Sequence, residues 1–396
     1  MKAYIVQNKR KIDPFDERPC DCLIGNKTLS TIQKKTLLDL GLEPVLVSDT
    51  HRIEDVEEHI ILNDSLYFTR ELLEEFIVRS RKHQGSTVCA LKASITTLRT
   101  ITPVQEVKSH PNYVEYGLYY LPKEKFRGEC RSLIIEPDQM RVSIPIPEQM
   151  CGNKKYLVPL TDKFIIQINH WVNLWAANII TLLAKGARLQ KKSKIKLAIL
   201  ALKAHSLNRW KILRQLNKIG RDCDIHPTAY IEGSTIGNNV TIGAGSIIRA
   251  SVVGKGAFIG NGIVIEESVI GEKSTILNGH ILYSVLYPGT FTVAQMISTS
   301  LIGRNTFIGS NVVLTDFRLD GKNVMVIKDG TKIDTENTLI GCCLGNEVYL
   351  GAGCIVAPGR MIPTGMRIVP KKERILNACD PEQNIPGFRL IKNKLP

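Results

Sequence analysis

A chain of 396 residues, 43% of them hydrophobic, is long enough to bury two or three cores. Its first 20 residues carry Lys2, Lys9, Arg10 and Lys11 around one short apolar stretch, Ala3 to Val6, and its best apolar window, Trp171 to Ala184, is interrupted by Asn173, Asn178 and Thr181, so neither a signal peptide nor a spanning helix is expected. The net charge of +14 is local: twelve Lys or Arg and no Asp or Glu lie between Lys163 and Lys218, which leaves +2 for the rest of the chain.

Along the N-terminal region, Ala3 to Val6 reads as a strand, Leu29 to Leu40 as a helix stopped by Gly41, and Pro44 to Val47 as a strand. Ile60 to Leu62 follows as a strand, Thr69 to Arg81 as a helix and Val88 to Leu91 as a strand. This alternation predicts a parallel α/β sheet covered on both faces. From Thr100 to Leu160 the pattern turns to strands, Tyr113 to Leu121 being the clearest. Residues 163–218 read as helix, because Ile168, Trp171, Val172, Trp175, Ile179, Leu182 and Leu183 recur at three- and four-residue steps before a basic stretch, Lys191 to Lys218. The ten cysteines lack the paired spacing of a zinc ribbon, and Cys20 and Cys22 beside Asp21 have no second pair, so they are read as reduced thiols of a cytoplasmic chain.

The C-terminal half repeats. Ile219, Ile225, Ile231, then Ile236, Ile242, Ile248, then Val253, Ile259, Ile265, then Ile270, Ile276, Leu282 step by six, six and five, which makes a three-sided coil of 17 residues. Each short strand points one side chain into a shaft where it stacks on its equivalent one coil away, and each such burial contributes about 1.5 to 3 kcal/mol. The pattern is interrupted near Tyr287 to Ser300 and again at Thr315 to Thr338, and closes with Leu344, Leu350, Val356 and Ile362. A β-sandwich would alternate with period two and would not keep a 17-residue register. The divisions are therefore residues 1–160, a basic helical bridge 161–218, a coil of hexapeptides 219–370 and a tail 371–396.

The run Ile236-Gly-Asn-Asn-Val-Thr-Ile242-Gly-Ala-Gly-Ser-Ile resembles the left-handed β-helix acyltransferases and the C-terminal domains of sugar nucleotidyltransferases. The N-terminal part is similar to the Rossmann-like α/β domain of the second group: Arg18-Pro19 through Lys27-Thr28-Leu29 resembles the segment after its nucleotide loop, Leu62-Asn63-Asp64 the strand end that carries a magnesium-binding aspartate, and Tyr113 to Tyr120 its sugar-site strand. The glycine-rich phosphate loop of that group is replaced here by Gln7-Asn8-Lys9-Arg10-Lys11-Ile12-Asp13, which has no glycine to admit close backbone approach and makes the domain a degenerate one. Gly279-His280-Ile281-Leu282-Tyr283 resembles the histidine-bearing segment of the bifunctional uridyltransferase and glucosamine-phosphate acetyltransferases, and Phe307-Ile308-Gly309-Ser310-Asn311 its next coil.

The resemblance implies a hexapeptide-repeat transferase that moves an acyl or nucleotidyl group onto an activated sugar or envelope precursor. His280 is then the catalytic base, Tyr283, Asn311 and Lys27 bind substrate, and Asp64 is a magnesium candidate. Acyl-CoA, or a nucleoside triphosphate with Mg, is the implied cofactor, a sugar phosphate or sugar nucleotide the ligand, and a homotrimer the implied assembly. His226, at Ile225-His226-Pro227, is read as part of a turn that opens the coil. The alternative is a non-catalytic platform, favoured by the lost glycine loop. Lys191, Lys192, Lys194 and Lys196, interleaved with aliphatics, form a candidate patch for an anionic membrane surface, which would place the chain at the inner face of a membrane; otherwise the stripe packs on the neighbouring domains. Nucleic acid is not an expected partner, since no reader motif is present and aromatics are 6%.

Overall fold

The computed structural model describes residues 1–371 except 51–52, 54–56, 84, 124–129, 152–153 and 191–193; for 149–150, 186–187, 189–190 and 194–197 it describes the backbone alone. The chain begins with β1 (Lys2–Val6), a hairpin of β2 (Leu23–Ile24) and β3 (Lys27–Thr28), α1 (Leu29–Leu38), β4 (Glu43–Val47), β5 (His59–Asn63), β6 (Leu66–Phe68), α2 (Arg70–Lys82), β7 (Thr87–Lys92) and α3 (Ile95–Arg99). It continues with β8 (Lys108–Ser109), β9 (Tyr113–Leu121), β10 (Arg131–Ile135), β11 (Met140–Ile144), β12 (Tyr156–Leu160) and β13 (Ile165–Gln167). Thr28 caps α1 by accepting the Thr31 N–H, and α2 buries the stripe Leu72, Leu73, Phe76 and Ile77.

The main sheet runs β10-β7-β9-β5-β1-β4 and is mixed, which corrects the expectation of a parallel one. β1 pairs parallel with β4 and β5, and β10 pairs parallel with β7, but β9 lies antiparallel between β5 and β7. No full crossover helix separates β8 from β9, so the returning chain is free to run against its neighbours. The bridge is not helical throughout either: β13 pairs antiparallel with β6, and α4 (Trp171–Gln190) begins only after it, followed by α5 (Lys194–Lys203) and α6 (Arg209–Arg214). Ile165, Ile166 and Ile168 are apolar and branched, and the segment is buried and extended.

Strands between Lys218 and Ile368 form a left-handed parallel β-helix with faces of eight, eight and seven strands. Ile236, Val253, Ile270, Leu286, Ile302, Leu344 and Ile362 stack behind the first face. Ile242, Ile259, Ile276, Thr292, Ile308 and Leu350 stack behind the second. Ile231, Ile248, Ile265, Ile281, Ile297, Leu314 and Val356 stack behind the third. Two expectations change. Ile281, not Leu282, enters the shaft, because the corner ahead of it is one residue short; and Tyr287 to Ser300 is no interruption but a complete coil with Thr292 in an apolar position. The short corner turns at Gly279, with φ at +108°, where a Cβ would lie 2.2 Å from the Ala294 carbonyl oxygen. The second break does occur, and holds a hairpin of Met325–Lys328 and Thr331–Asp334.

The corner between the third and first faces is held by a column of buried serines, Ser234, Ser251, Ser268, Ser284 and Ser300. Each hydroxyl donates to the carbonyl two residues before it, at 2.6 to 2.9 Å. Each also accepts the backbone N–H of the next member, Ser251, Ser268, Ser284, Ser300 and lastly Cys342, at 3.0 or 3.1 Å. The residues just before these serines, Gly233, Ala250, Glu267, Tyr283 and Thr299, all have φ between 42° and 58°.

The first face is not exposed to solvent along its middle coils. Its outward Val269, Val285, Leu301 and Cys343 join Trp171, Trp175, Phe15 and Ile24 in one core that runs through both halves of the chain. The Tyr287 hydroxyl accepts the Leu23 N–H at 2.9 Å and donates to its carbonyl, while Asn26 donates to the Ile270 carbonyl at 2.8 Å. Among the described residues no helix is long and apolar enough to cross a membrane; α4 is apolar because it is the core between the two domains.

Removing one rung of the serine column leaves a buried N–H without an acceptor. Ser268→Ala is expected to lower the unfolding free energy by about 1 to 3 kcal/mol, whereas Thr331→Ala on the exposed hairpin should fall within about 0.5 kcal/mol of wild type in denaturant titration.

Candidate functional site

Two columns of side chains point outward from the third face. One contains Tyr230, Ile247, Val264, His280 and Met296, the other Glu232, Arg249, Glu266, Leu282 and Ser298, each pair flanking an inward residue. His280 and Glu266 meet diagonally across adjacent strands, Nε2 to Oε2 at 2.9 Å, and Arg249 Nη1 reaches the other Glu266 oxygen at 2.8 Å. The His280 and Glu266 side chains are 37% and 20% exposed, so the pair is open to a ligand and partly shielded from water. Near the start of the same face, the Trp210 ring of α6 lies 5.7 Å from the Arg249 guanidinium carbon, and Tyr230 donates to Glu232 at 2.8 Å.

Glu267 occupies the left-handed corner position beside Glu266. Burial, and then the like charge of Glu266, push its carboxyl up to about 7, against a smaller opposing pull from Arg249. With Glu266 ionised and accepting from Nε2–H, the imidazole is held in the tautomer that leaves Nδ1 with its lone pair, which is the arrangement a general base requires. The short corner at Gly279 places His280 here: with a six-residue step Ile281 would be outward and His280 would face the shaft.

The other expected site residues fall elsewhere. Tyr283 sits at the next corner, its carbonyl accepting the Trp175 indole N–H at 2.7 Å. Lys27 is exposed in the β2–β3 hairpin and Asn311 is exposed two coils beyond His280; neither bonds to the His280 cluster. Lys191 and Lys192 lie outside the described residues, as do the side chains of Lys194 and Lys196. Two other charges of the basic segment are committed to the N-terminal domain, Arg188 to Glu71 and Lys163 to Glu75.

Asp64 is buried in a cavity of about 160 Å³ with Arg18, Cys20, Asp21 and Gln33, and one of its oxygens lacks a hydrogen-bond partner. Desolvation raises its pKa, and among the described residues no group of three His, Cys, Asp or Glu side chains is placed to hold a metal ion. The segment Gln7 to Asp13 is taken up by structural contacts: Arg10 pairs with Glu106 and Asp329, Ile12 is fully buried, and Glu17 just beyond it holds Arg304 of the β-helix at 3.0 Å through both oxygens.

Glu266 and Arg249 were legible in principle. Glu232, Arg249 and Glu266 recur at 17-residue steps, a charged column beside the apolar one, and the next coil supplies His280.

No known family model matches the chain, and no curated protein matches it. Solved structures do. One is a mutant GDP-perosamine N-acetyltransferase from Caulobacter crescentus in complex with CoA and GDP-perosamine, 16% identical over 38% of this chain and 51% of that one, TM-score 0.16. Another is the acetyltransferase domain of PglB from Neisseria gonorrhoeae in complex with acetyl coenzyme A, 17% identical over 48% and 61%, TM-score 0.17. A third is a hexapeptide transferase family protein from Anaplasma phagocytophilum, 19% identical over 39% and 78%, TM-score 0.21. The chain thus spans about half the length of the perosamine enzyme.

Glu267 gives a pH test. Its carboxyl is harder to ionise in the folded chain than at its ordinary 4.5, so stability is unaffected below that pH, falls as pH rises through the folded value near 7, and stays lower above it. Glu267→Gln removes that loss: the variant is expected to match wild type in melting at pH 4.5 and to exceed it at pH 8 by on the order of 2 kcal/mol, allowing for solvent screening.

Proposed function

We propose that the chain is an acyltransferase in which His280, positioned by Glu266, is the general base for transfer of an acyl group from a CoA thioester to an amine or hydroxyl of a sugar phosphate or sugar nucleotide. The observation that carries this reading is the 2.9 Å pair between His280 Nε2 and Glu266, itself anchored by Arg249 on a rigid face. The acceptor N–H or O–H gives its proton to His280 Nδ1 as its heteroatom attacks the thioester carbonyl. The tetrahedral adduct then collapses, the C–S bond breaks, and the departing thiolate recovers the proton from the imidazolium. Glu266 stabilises that imidazolium without taking the proton.

Nucleotidyl transfer has little to support it. Phosphate cradling needs free backbone N–H groups and an unpaired cation, and Arg10 is already neutralised by two carboxylates. The degenerate domain serves instead as a clamp that covers the first face of the β-helix. Among the described residues none covers the second face, which presents Phe258, Phe291, Phe307 and Tyr349, with ring centroids 5.5 Å apart for the middle pair and 6.2 Å for the last. An exposed aromatic column of this kind suits burial against further copies in a homotrimer.

Two outcomes test the reading. His280→Ala is expected to lower kcat for CoA release roughly 100- to 10,000-fold with a folded, stable protein, while Asp64→Asn leaves the rate unchanged; undiminished turnover in His280→Ala removes His280 from the chemistry. Sedimentation velocity is expected to give a trimer, and a monomer at micromolar concentration refutes the assembly.

A further inference from the structure

Between α4, the β11–β12 hairpin and the third face of the β-helix lies a cavity of about 230 Å³. Ile179 and Leu183 wall it from α4, Ile146 and Val158 from the hairpin region, and Leu282 and Met296 from the β-helix. Arg99 reaches its rim but is already engaged, donating to the Leu157 carbonyl at 2.9 Å and to Asn337 Oδ1. Thr299 differs. It lines the cavity, is 7% exposed, and its Oγ1 is buried without a hydrogen-bond partner. The lining is otherwise mainly aliphatic, which fits the space for use by an apolar ligand.

The position of the cavity relative to His280 suggests that use. Met296 is the register partner of His280 on the next strand, and Leu282 is two residues along on the same outward side. The cavity wall therefore starts at two direct neighbours of the base on that face, on the side away from Val264 and Glu266. The shortened corner at Gly279 is what turns Leu282 outward and makes it part of the wall.

We propose that this cavity binds an unbranched apolar chain, the acyl group of the donor, so that the chain transferred is of medium length and not acetyl; the assignment rests on the acyltransferase reading above. A cavity of about 150 Å³ lined by aliphatic side chains already admits benzene, so in proportion 230 Å³ holds on the order of nine heavy atoms. A hydrocarbon tail on an acceptor, or a free fatty acid, shares the same chemistry, and the measurement separates these sources.

Isothermal titration of the full-length protein with CoA, acetyl-CoA, octanoyl-CoA and sodium octanoate is the test. Each buried methylene contributes about fourfold in affinity, so octanoyl-CoA is expected to bind at least tenfold tighter than acetyl-CoA. Two fillers, Met296→Trp at the exposed edge and Ala176→Phe in the wall, are each expected to reduce the octanoyl-to-acetyl ratio below threefold, so that misfolding of one leaves the other to decide. Equal affinity for octanoyl-CoA and acetyl-CoA overturns the cavity assignment and leaves the transferase reading standing. Binding of octanoate, weakened by both fillers, with no binding of any CoA species upholds the chain site and overturns the transferase reading.

Discussion

The structure depends on the serine column at one edge of the β-helix. At this corner the N–H of each serine after the first is met by a side chain and not by the parallel ladders, and the left-handed residue before it makes a sharp turn that must be held. The serine hydroxyls answer both needs, since each closes its own turn and accepts from the coil above. Because five corners are fixed in line, the residues immediately before them are fixed too, and those are Glu266 and Glu267, Leu282 and Tyr283, Ser298 and Thr299. The candidate base, its carboxylate and the cavity wall all hang from this edge.

The N-terminal domain contributes through the same edge and face. It packs α4 and the β2–β3 hairpin on the first face and secures the contact with charges, Arg10 through Glu106 and Asp329, Glu17 through Arg304. His170, in the turn before α4, is also drawn into the interface: one ring nitrogen lies 3.0 Å from the Ile327 carbonyl of the inserted hairpin, and burial lowers its pKa to about 4, so it stays neutral and structural. The two domains therefore share a hydrophobic core, and α4, the most apolar helix of the chain, is buried between them.

The β-helix was legible because its signal is periodic and each position reports the same environment: an aliphatic residue every five or six positions, kept in a 17-residue register, matches the geometry of a three-sided coil and of little else. What periodicity missed is where the period slips. The single residue absent before Ile281 cannot be detected from Leu282, which is equally apolar and only one position away, yet that slip decides whether His280 and Leu282 face outward. Thr292 broke the apolar pattern for a different reason, since one buried threonine, its hydroxyl accepting the Ala294 N–H, is tolerated in the shaft and looks in sequence like a gap. The N-terminal sheet was read as parallel because strand and helix alternate in its first half; β9 is antiparallel owing to a connection, and connections leave little trace in composition. At the site, His280 could be singled out from its segment, whereas Glu266 and Arg249 needed the three-dimensional column to be connected to it.

The central claim is that Glu266 fixes His280 as a base with Nδ1 free. Nitrogen-15 correlation spectra of protein labelled at its eight histidines, with the His280 signals assigned by their loss in His280→Gln, measure this directly. The account predicts, on the basic side of the His280 titration, a neutral ring protonated at Nε2 with Nδ1 unprotonated, and a shift toward mixed tautomers in Glu266→Ala. A ring protonated at Nδ1, or a tautomer ratio indifferent to Glu266, would contradict it.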